Sequence, residues 1–174
     1  DIIHSDIWTS PILSTTGHKY YLVFLDDFTN YVWTFPLANK SQTFTYFCLL
    51  RKYILNQFGR QIKSFQCDNG KEFNNHSFHQ LCQQNGIHLR FTCPYTSSQN
   101  GKAERKIRTL NNISRTLLFH ANIPTSFWPY SIHMATYLHN ILPSKVIDYL
   151  TPTTKLYHKI PSYTHLKTFG CLCF

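Results

Sequence analysis

The sequence predicts an α/β fold in which helices flank a five-stranded mixed β-sheet. Short runs rich in aromatic and β-branched residues alternate with longer segments of helical periodicity. The first three runs follow one another closely, as in a hairpin meander, whereas helices separate the later runs, as in parallel β-α-β units. The 174 residues suffice for one domain with a sizeable core. No stretch approaches the ~20 consecutive apolar residues of a membrane-spanning helix.

The first three strands are predicted near the N-terminus. Residues 1–8 alternate in character, and residues 20–25 and 31–35 are apolar and rich in aromatic side chains. The polar segment 26–30 between the second and third strands is typical of a hairpin turn.

The remaining elements are predicted from periodicity and from capping residues. Ser41 is expected to cap a helix that runs to about residue 57, with Gly59 just past its end. The segment from about residue 143 onward, rich in Pro, Thr and Tyr, is predicted to be irregular. The other predicted elements are a strand at 62–67, a helix at 76–84, a strand at 87–91, a long helix at 102–121 and a helix at 125–140.

The chain is strongly basic. Its 17 Lys and Arg residues outnumber the 8 Asp and Glu residues, so the formal net charge is +9 and the isoelectric point is near 9.3. Such a surplus favours a polyanionic partner, of which nucleic acid is the commonest. The alternative is a basic surface that serves only solubility.

The six cysteines are scattered and include no Cys-x-x-Cys pair, so reduced and mostly buried thiols are expected. His76, His79 and Cys82 follow one another at steps of three. On a helix each such step advances about 300°, so the outer two side chains diverge by roughly 120°. A zinc site at these residues is therefore not predicted.

Three acidic residues lie where strands end or helices begin. Asp6 is in the first predicted strand, Asp68 follows the fourth, and Glu104 is in the first turn of the long helix. Three carboxylates meeting there would form a hard-oxygen site suited to Mg²⁺ or Mn²⁺. Each alone has a simpler explanation, since Asp68 suits a turn and Glu104 is favoured by the helix dipole.

The spacing of these residues and the sequence motifs around them resemble those of the catalytic core of copia-type retrotransposon integrases, in the retroviral integrase superfamily. That superfamily is marked by two Asp and one Glu, with 35 residues between the second Asp and the Glu, as between Asp68 and Glu104. One departure is Thr9-Ser10, where the family usually has a single Gly before the Pro. The matching sequence segments are His4-Ser5-Asp6-Ile7-Trp8, Asp68-Asn69-Gly70-Lys71-Glu72-Phe73, Gln99-Asn100-Gly101-Lys102-Ala103-Glu104-Arg105-Lys106, Phe127-Trp128, Pro143-Ser144 and Phe169-Gly170-Cys171.

The resemblance implies a ribonuclease H-like fold over residues 1–174, as the central catalytic fragment of a longer polyprotein. It implies a polynucleotidyl transferase that trims retroelement DNA ends and joins them to target DNA. Two Mg²⁺ or Mn²⁺ ions would be held by Asp6, Asp68 and Glu104, with Asp6 between the ions. The implied setting is the nucleus, after a stage in a cytoplasmic particle, with a homo-oligomer acting on DNA and no membrane.

The long helix is predicted to contact DNA. Residues 104, 108, 111 and 115 share one face, so a polar stripe continues from Glu104. Phosphate contacts from basic side chains would hold DNA across the metals. The predicted nucleic-acid contacts are Gln99, Asn100, Lys102, Arg105, Lys106, Arg108, Asn111 and Arg115.

Two other functions remain open at this stage. A transposon copy decays readily, so the chain would also suit a catalytically inactive remnant that still binds DNA. A ribonuclease H-like nuclease that hydrolyses without joining is the other alternative. Metal-dependent DNA cleavage would distinguish an active enzyme from the inactive remnant. A strand-joining assay would distinguish an integrase from the hydrolytic nuclease.

Overall fold

Five strands form one mixed sheet in the computed structural model, which describes residues 2–92 and 101–172. The sheet order is β3-β2-β1-β4-β5. The pairs β1–β2 and β2–β3 are antiparallel, while β1–β4 and β4–β5 are parallel. The predicted meander followed by β-α-β units is thereby confirmed. The strands are β1 (Ile2–Thr9), β2 (Tyr20–Asp26), β3 (Val32–Leu37), β4 (Ser64–Cys67) and β5 (His88–Phe91).

Five α-helices accompany the sheet in the described part of the chain, and none of them is long and apolar enough to cross a membrane. The helix expected from Ser41 starts as a 3-10 turn, Lys40–Gln42. The side chain of Gln42 accepts the backbone N–H groups of Ala38 and Asn39, so the cap lies earlier than Ser41. The helices are α1 (Thr43–Phe58), α2 (His76–Gln84), α3 (Gly101–His120), α4 (Trp128–Ile141) and α5 (Pro152–Tyr157).

The region after Pro143 needs a correction, because it is not irregular throughout. It contains a 3-10 turn at Lys145–Ile147 and the short helix α5. Thr151 caps α5 by accepting the N–H of Thr154 at 3.0 Å, and Pro152 occupies the first helical position. These are ordinary helix-start signals, but they precede only six helical residues.

The two faces of the sheet bury different sets of side chains. On one face, α1 and α2 cover a core that includes Ile3, Phe24 and Phe65. On the other, α3 and α4 cover Tyr21 and Val23. Because strand side chains alternate between faces, β1, β2 and β3 contribute to both cores, whereas the apolar residues of β4 and β5 belong to the α1–α2 core.

Candidate active site

Asp6 and Asp68 lie on the same face of the sheet, the one covered by α3. In β1, Ile3 and Ile7 belong to the α1–α2 core, so Asp6 points to the opposite side. In β4, Cys67 belongs to that same core, and Asp68 follows it by one position. The parallel register pairs His4 with Gln66, and two further residues along each chain give Asp6 and Asp68.

The carboxyl group of Asp6 is buried enough to be perturbed. Burial raises its pKa to about 6, although the Ile7 N–H, which donates to Oδ1 at 2.8 Å, acts in the opposite direction. The negative charges of Asp68 and Glu104 raise this pKa further. Asp6 is thus a carboxylate whose ionised form is disfavoured by its surroundings and would be favoured by a nearby cation.

Glu104 is exposed in the first turn of α3, a helix that packs on β1 and β2. Because α3 covers the face of the sheet to which Asp6 points, Glu104 lies on the same side, and its negative charge raises the pKa of Asp6. The three carboxylates nevertheless form an open arrangement. Within residues 2–92 and 101–172, no three His, Cys, Asp or Glu side chains converge closely enough to enclose one metal ion.

The turn after Asp68 is held by hydrogen bonds to charged side chains. Asp68 Oδ1 accepts the N–H of Gly70 at 3.1 Å. A Cβ at Gly70 would lie 2.7 Å from Glu72 Oε2 and 3.0 Å from Asp68 Oδ1, so only glycine lets both carboxylates approach this turn. Lys40 Nζ donates to Glu72 Oε1 at 2.7 Å.

Lys40 is a neighbour of the site that the sequence analysis missed. The Glu72 carboxylate raises the pKa of Lys40, and the charge of Asp68 adds to this effect. The positive charge of Lys40 in turn lowers the pKa of Asp6 slightly. Nothing in the local sequence indicated this proximity, because Lys40 precedes α1 and meets the Asp68 turn only in the folded chain.

The predicted DNA contacts of α3 fall on two flanks of the helix. Its buried stripe contains Ala103, Ile107 and Leu110. One flank continues from Glu104, and the other lines a cavity between α3, α4 and the β2–β3 turn. The flank of Glu104 carries Arg108, Asn111 and Arg115, whereas the cavity flank carries Lys102, Arg105 and Lys106.

On the Glu104 flank, two of the predicted contacts already have partners within the protein. Asn111 Oδ1 accepts the hydroxyl of Tyr21 at 3.0 Å. Arg115 is exposed, and its Nη2 donates to Asn112 Oδ1 at 2.7 Å. Arg108 is exposed. Gln99 and Asn100 lie outside the described residues.

On the cavity flank, Lys102 forms an ion pair with Asp27. Asp27 Oδ1 also accepts from His4 Nε2 at 2.8 Å, which links the first turn of α3 to β1. Lys106 Nζ lies 3.0 Å from His139 Nε2. Burial lowers the pKa of Lys106 to about 8, and burial together with Lys106 lowers that of His139 to about 4.

The cysteines and the His76 segment show no metal site in the part of the chain that the structure describes. Of the described cysteines, Cys67 and Cys82 are buried, Cys48 is half-buried and Cys171 is exposed, so the expectation of mostly buried thiols holds for two of these four. His79 Nε2 contacts Asn74 Oδ1 at 2.7 Å, so its ring is engaged in a local hydrogen bond.

Comparison with known proteins identifies relatives over the whole chain. Residues 1–97 match the family model described as integrase core domain. The chain is 39% identical over 174 residues to the retrovirus-related Pol polyprotein from transposon RE2 of Arabidopsis thaliana, and 40% identical to that from transposon RE1. It is 35% identical over 175 residues to the Pol polyprotein from transposon TNT 1-94 of Nicotiana tabacum. All of this chain aligns, but it spans only 12–13% of these polyproteins.

Among solved structures, the chain is similar to one in the cryoEM structure of the simian T-cell lymphotropic virus intasome in complex with PP2A regulatory subunit B56 gamma. The TM-score is 0.71 at 18% identity, and the alignment covers 96% of this chain and 59% of the other. At this identity the likeness concerns the fold, and it confirms the predicted ribonuclease H-like architecture.

Proposed function

Because the chain belongs to the integrase core domain family, in its copia-type retrotransposon branch, we propose that it is the catalytic core of a DNA integrase. The proposed activity is that of a polynucleotidyl transferase, which trims the ends of the retroelement DNA and joins them to target DNA. The observation that carries the proposal is the placement of Asp6 and Asp68 on one face of the sheet, with the charge of Glu104 acting on Asp6.

The donor chemistry of these residues fits divalent magnesium or manganese. All three are carboxylates, which are the hard oxygen ligands these ions prefer, and no imidazole or thiolate has to take part. The raised pKa of Asp6 also fits this role, because a bound cation would stabilise the ionised form of its carboxyl group. Asp6, Asp68 and Glu104 would hold the two ions. Two such ions supply positive charge for the attacking and leaving oxygens of an in-line displacement at phosphorus.

The protein's own contribution is to hold and orient the reacting groups. The Ile7 N–H fixes one oxygen of Asp6, and the Gly70 N–H fixes one oxygen of Asp68. The Lys40–Glu72 ion pair braces the turn that carries Asp68. Arg108 and Arg115 stand along the flank of α3 that begins at Glu104, where they would bind phosphates of the DNA backbone.

The partners and location of the protein are part of the same proposal. The structural neighbour belongs to a viral intasome, and on the proposed integrase function we propose retroelement DNA ends, target DNA and further copies of this chain as partners. The corresponding location is the nucleus, reached after a stage in a cytoplasmic particle.

A cleavage and strand-joining assay with Asp68→Asn tests the proposal. With Mg²⁺ or Mn²⁺ and DNA carrying the retroelement ends, the unmodified protein should cut and join. Asp68→Asn should lose both activities by roughly 10³-fold or more, since a lost metal ligand costs on the order of 4 kcal/mol of transition-state stabilisation. Glu72→Gln is the matched control, and its loss should be much smaller.

Three outcomes would contradict the proposal. Cutting without joining would indicate a hydrolytic nuclease. DNA binding without either reaction in the unmodified protein would indicate an inactive remnant. Retained joining by Asp68→Asn would remove Asp68 from the site.

A further inference from the structure

The cavity on the flank of α3 opposite Glu104 has the features of a binding site. It measures about 460 Å³, which lies in the size range of ligand pockets, ~300–1,000 Å³. We call it the basic pocket, because Lys102, Arg105 and Lys106 line it from α3. The β2–β3 turn and His139 of α4 close two other sides.

The acidic residues of the basic pocket are already engaged. Asp27 accepts from both Lys102 and His4. Asp26 Oδ2 accepts the N–H of Thr29 at 2.9 Å and its hydroxyl at 2.5 Å. Lys102 is therefore neutralised by a carboxylate of the pocket, while neither Arg105 nor Lys106 has a carboxylate partner among residues 2–92 and 101–172.

Lys106 in particular is a half-buried cation with no acidic partner among the described residues. Its only hydrogen-bond partner there is His139 Nε2, which also lies 3.2 Å from the carbonyl oxygen of Asn30. A single ring nitrogen can accept from the ammonium or donate to the carbonyl, but not both. Desolvating a charge is costly unless an opposite charge compensates it.

Arg105 supplies a second cationic donor group to the lining of the basic pocket. Its guanidinium folds back over the start of α3, so that a Cβ at Gly101 would lie 2.9 Å from Nη1. Thr109 and Asn30 add neutral polar groups to the lining, and Leu142 and Val146 form an apolar wall. A tetrahedral anion attached to a carbon group would match this combination of cations and apolar surface.

We propose that the basic pocket binds a phosphate group of a nucleic acid strand through Arg105 and Lys106. This phosphate is not the reacting one, because the pocket lies across α3 from Glu104. The identity of the polyanion rests on the proposed function, whereas the anion site itself does not. DNA would then contact both flanks of α3: Arg108 and Arg115 on one, and Arg105 and Lys106 on the other.

The test uses metal-free protein in EDTA, so that its result does not depend on catalysis. Inorganic phosphate is compared with chloride at equal ionic strength by thermal unfolding, and duplex DNA affinity is measured over a range of salt. The variants are Lys106→Met and Arg105→Gln. Lys52→Met is the matched control, since Lys52 is an exposed lysine of α1 on the other side of the sheet.

Phosphate should raise the Tm of the unmodified protein and of Lys52→Met, but not that of Lys106→Met or Arg105→Gln. Each pocket variant should reduce the slope of log affinity against log salt by about 1, with no change for Lys52→Met. Without added anion, Lys106→Met should unfold at a higher temperature than the unmodified protein, because it removes a half-buried charge that has no acidic partner among the described residues.

Three results would overturn the proposal. An equal phosphate effect in Lys106→Met would show that the pocket is not the anion site. Loss of the phosphate effect with an unchanged DNA salt slope would mean that the pocket takes a free anion rather than nucleic acid. A lower Tm for Lys106→Met together with weaker DNA binding would reduce Lys106 to a structural role. None of these results depends on the joining assay. Failure of the phosphate-site proposal can therefore be distinguished from failure of the proposed integrase function.

Discussion

The two faces of the sheet serve different purposes, although strands β1 to β3 contribute side chains to both. The face under α1 and α2 is filled with fully buried aromatic rings, such as Phe24, Phe65 and Phe78. The face under α3 and α4 also has an aromatic and aliphatic core, but it includes His4, Asp6 and Asn140. One face therefore mainly stabilises the domain, whereas the other buries polar groups, which is energetically unfavourable, in order to assemble a site.

The largest effect on stability is expected on the α1–α2 face. Phe65→Ala removes a ring that packs 4.3 Å from Phe47 and 5.8 Å from Phe78, measured between ring centroids. Truncating a buried Phe costs about 3–5 kcal/mol, through lost burial and the cavity left behind. Urea unfolding should show this loss. A loss below about 1 kcal/mol would contradict the view that this face supplies most of the stability.

A smaller change in stability, and an increase rather than a loss, is expected when Asp6 is replaced by Asn. Its pKa in the folded protein is about 6, against 3.8 for the free side chain. The stability contributed by the protonated group is therefore complete below about pH 3.8, and it is lost as the pH rises through about 6. Above pH 6, Asp6→Asn should be more stable than the unmodified protein, by on the order of 1–3 kcal/mol.

Thermal unfolding in EDTA between pH 4.5 and 7.5 measures this difference. The gap in stability between Asp6→Asn and the unmodified protein should widen with increasing pH. A gap that stays constant or narrows would show that Asp6 does not carry a disfavoured charge, and the contrast between the two faces would weaken.

The smallest effect on stability is expected for the solvent-exposed ion pair at the edge of the α3–α4 face. Asp27→Asn keeps an acceptor for His4 but removes the ion pair with Lys102, whose side chain is about half exposed. Exposed ion pairs contribute about 0.2–1 kcal/mol, so the loss of stability should stay within that range. A double-mutant cycle with Lys102→Gln measures the coupling. A coupling well above 1 kcal/mol would make this ion pair a major link between β1 and α3.

The sequence was a reliable guide where the signals were local. The helix at 76–84 was predicted with the observed bounds from its amphipathic pattern and the Gly86 that follows it. The structure adds that Asn75 caps its start. The sheet followed from strand periodicity and from the order of elements. Helix α5 was not predicted, because a six-residue helix is too short to show a periodic apolar face.

The site was less predictable than the fold, and the reason is tertiary. Helical geometry placed Arg108, Asn111 and Arg115 in line with Glu104. It did not show that Lys106 would be covered by α4, or that Lys102 would pair with Asp27. Those facts depend on which elements pack beside α3. Lys40 was missed for the same reason, since its partner Glu72 is 32 residues away.

The most direct test of the proposed site is a crystal structure of this chain soaked in Mn²⁺, with the ions located by anomalous scattering. Manganese is expected between the carboxylates of Asp6 and Asp68, on the α3 face of the sheet. Glu104 should turn inward to complete the site, closing the open arrangement of the metal-free side chains. Manganese bound elsewhere, or Asp6 and Asp68 left without it at saturating concentration, would contradict the proposal that these carboxylates form the catalytic centre.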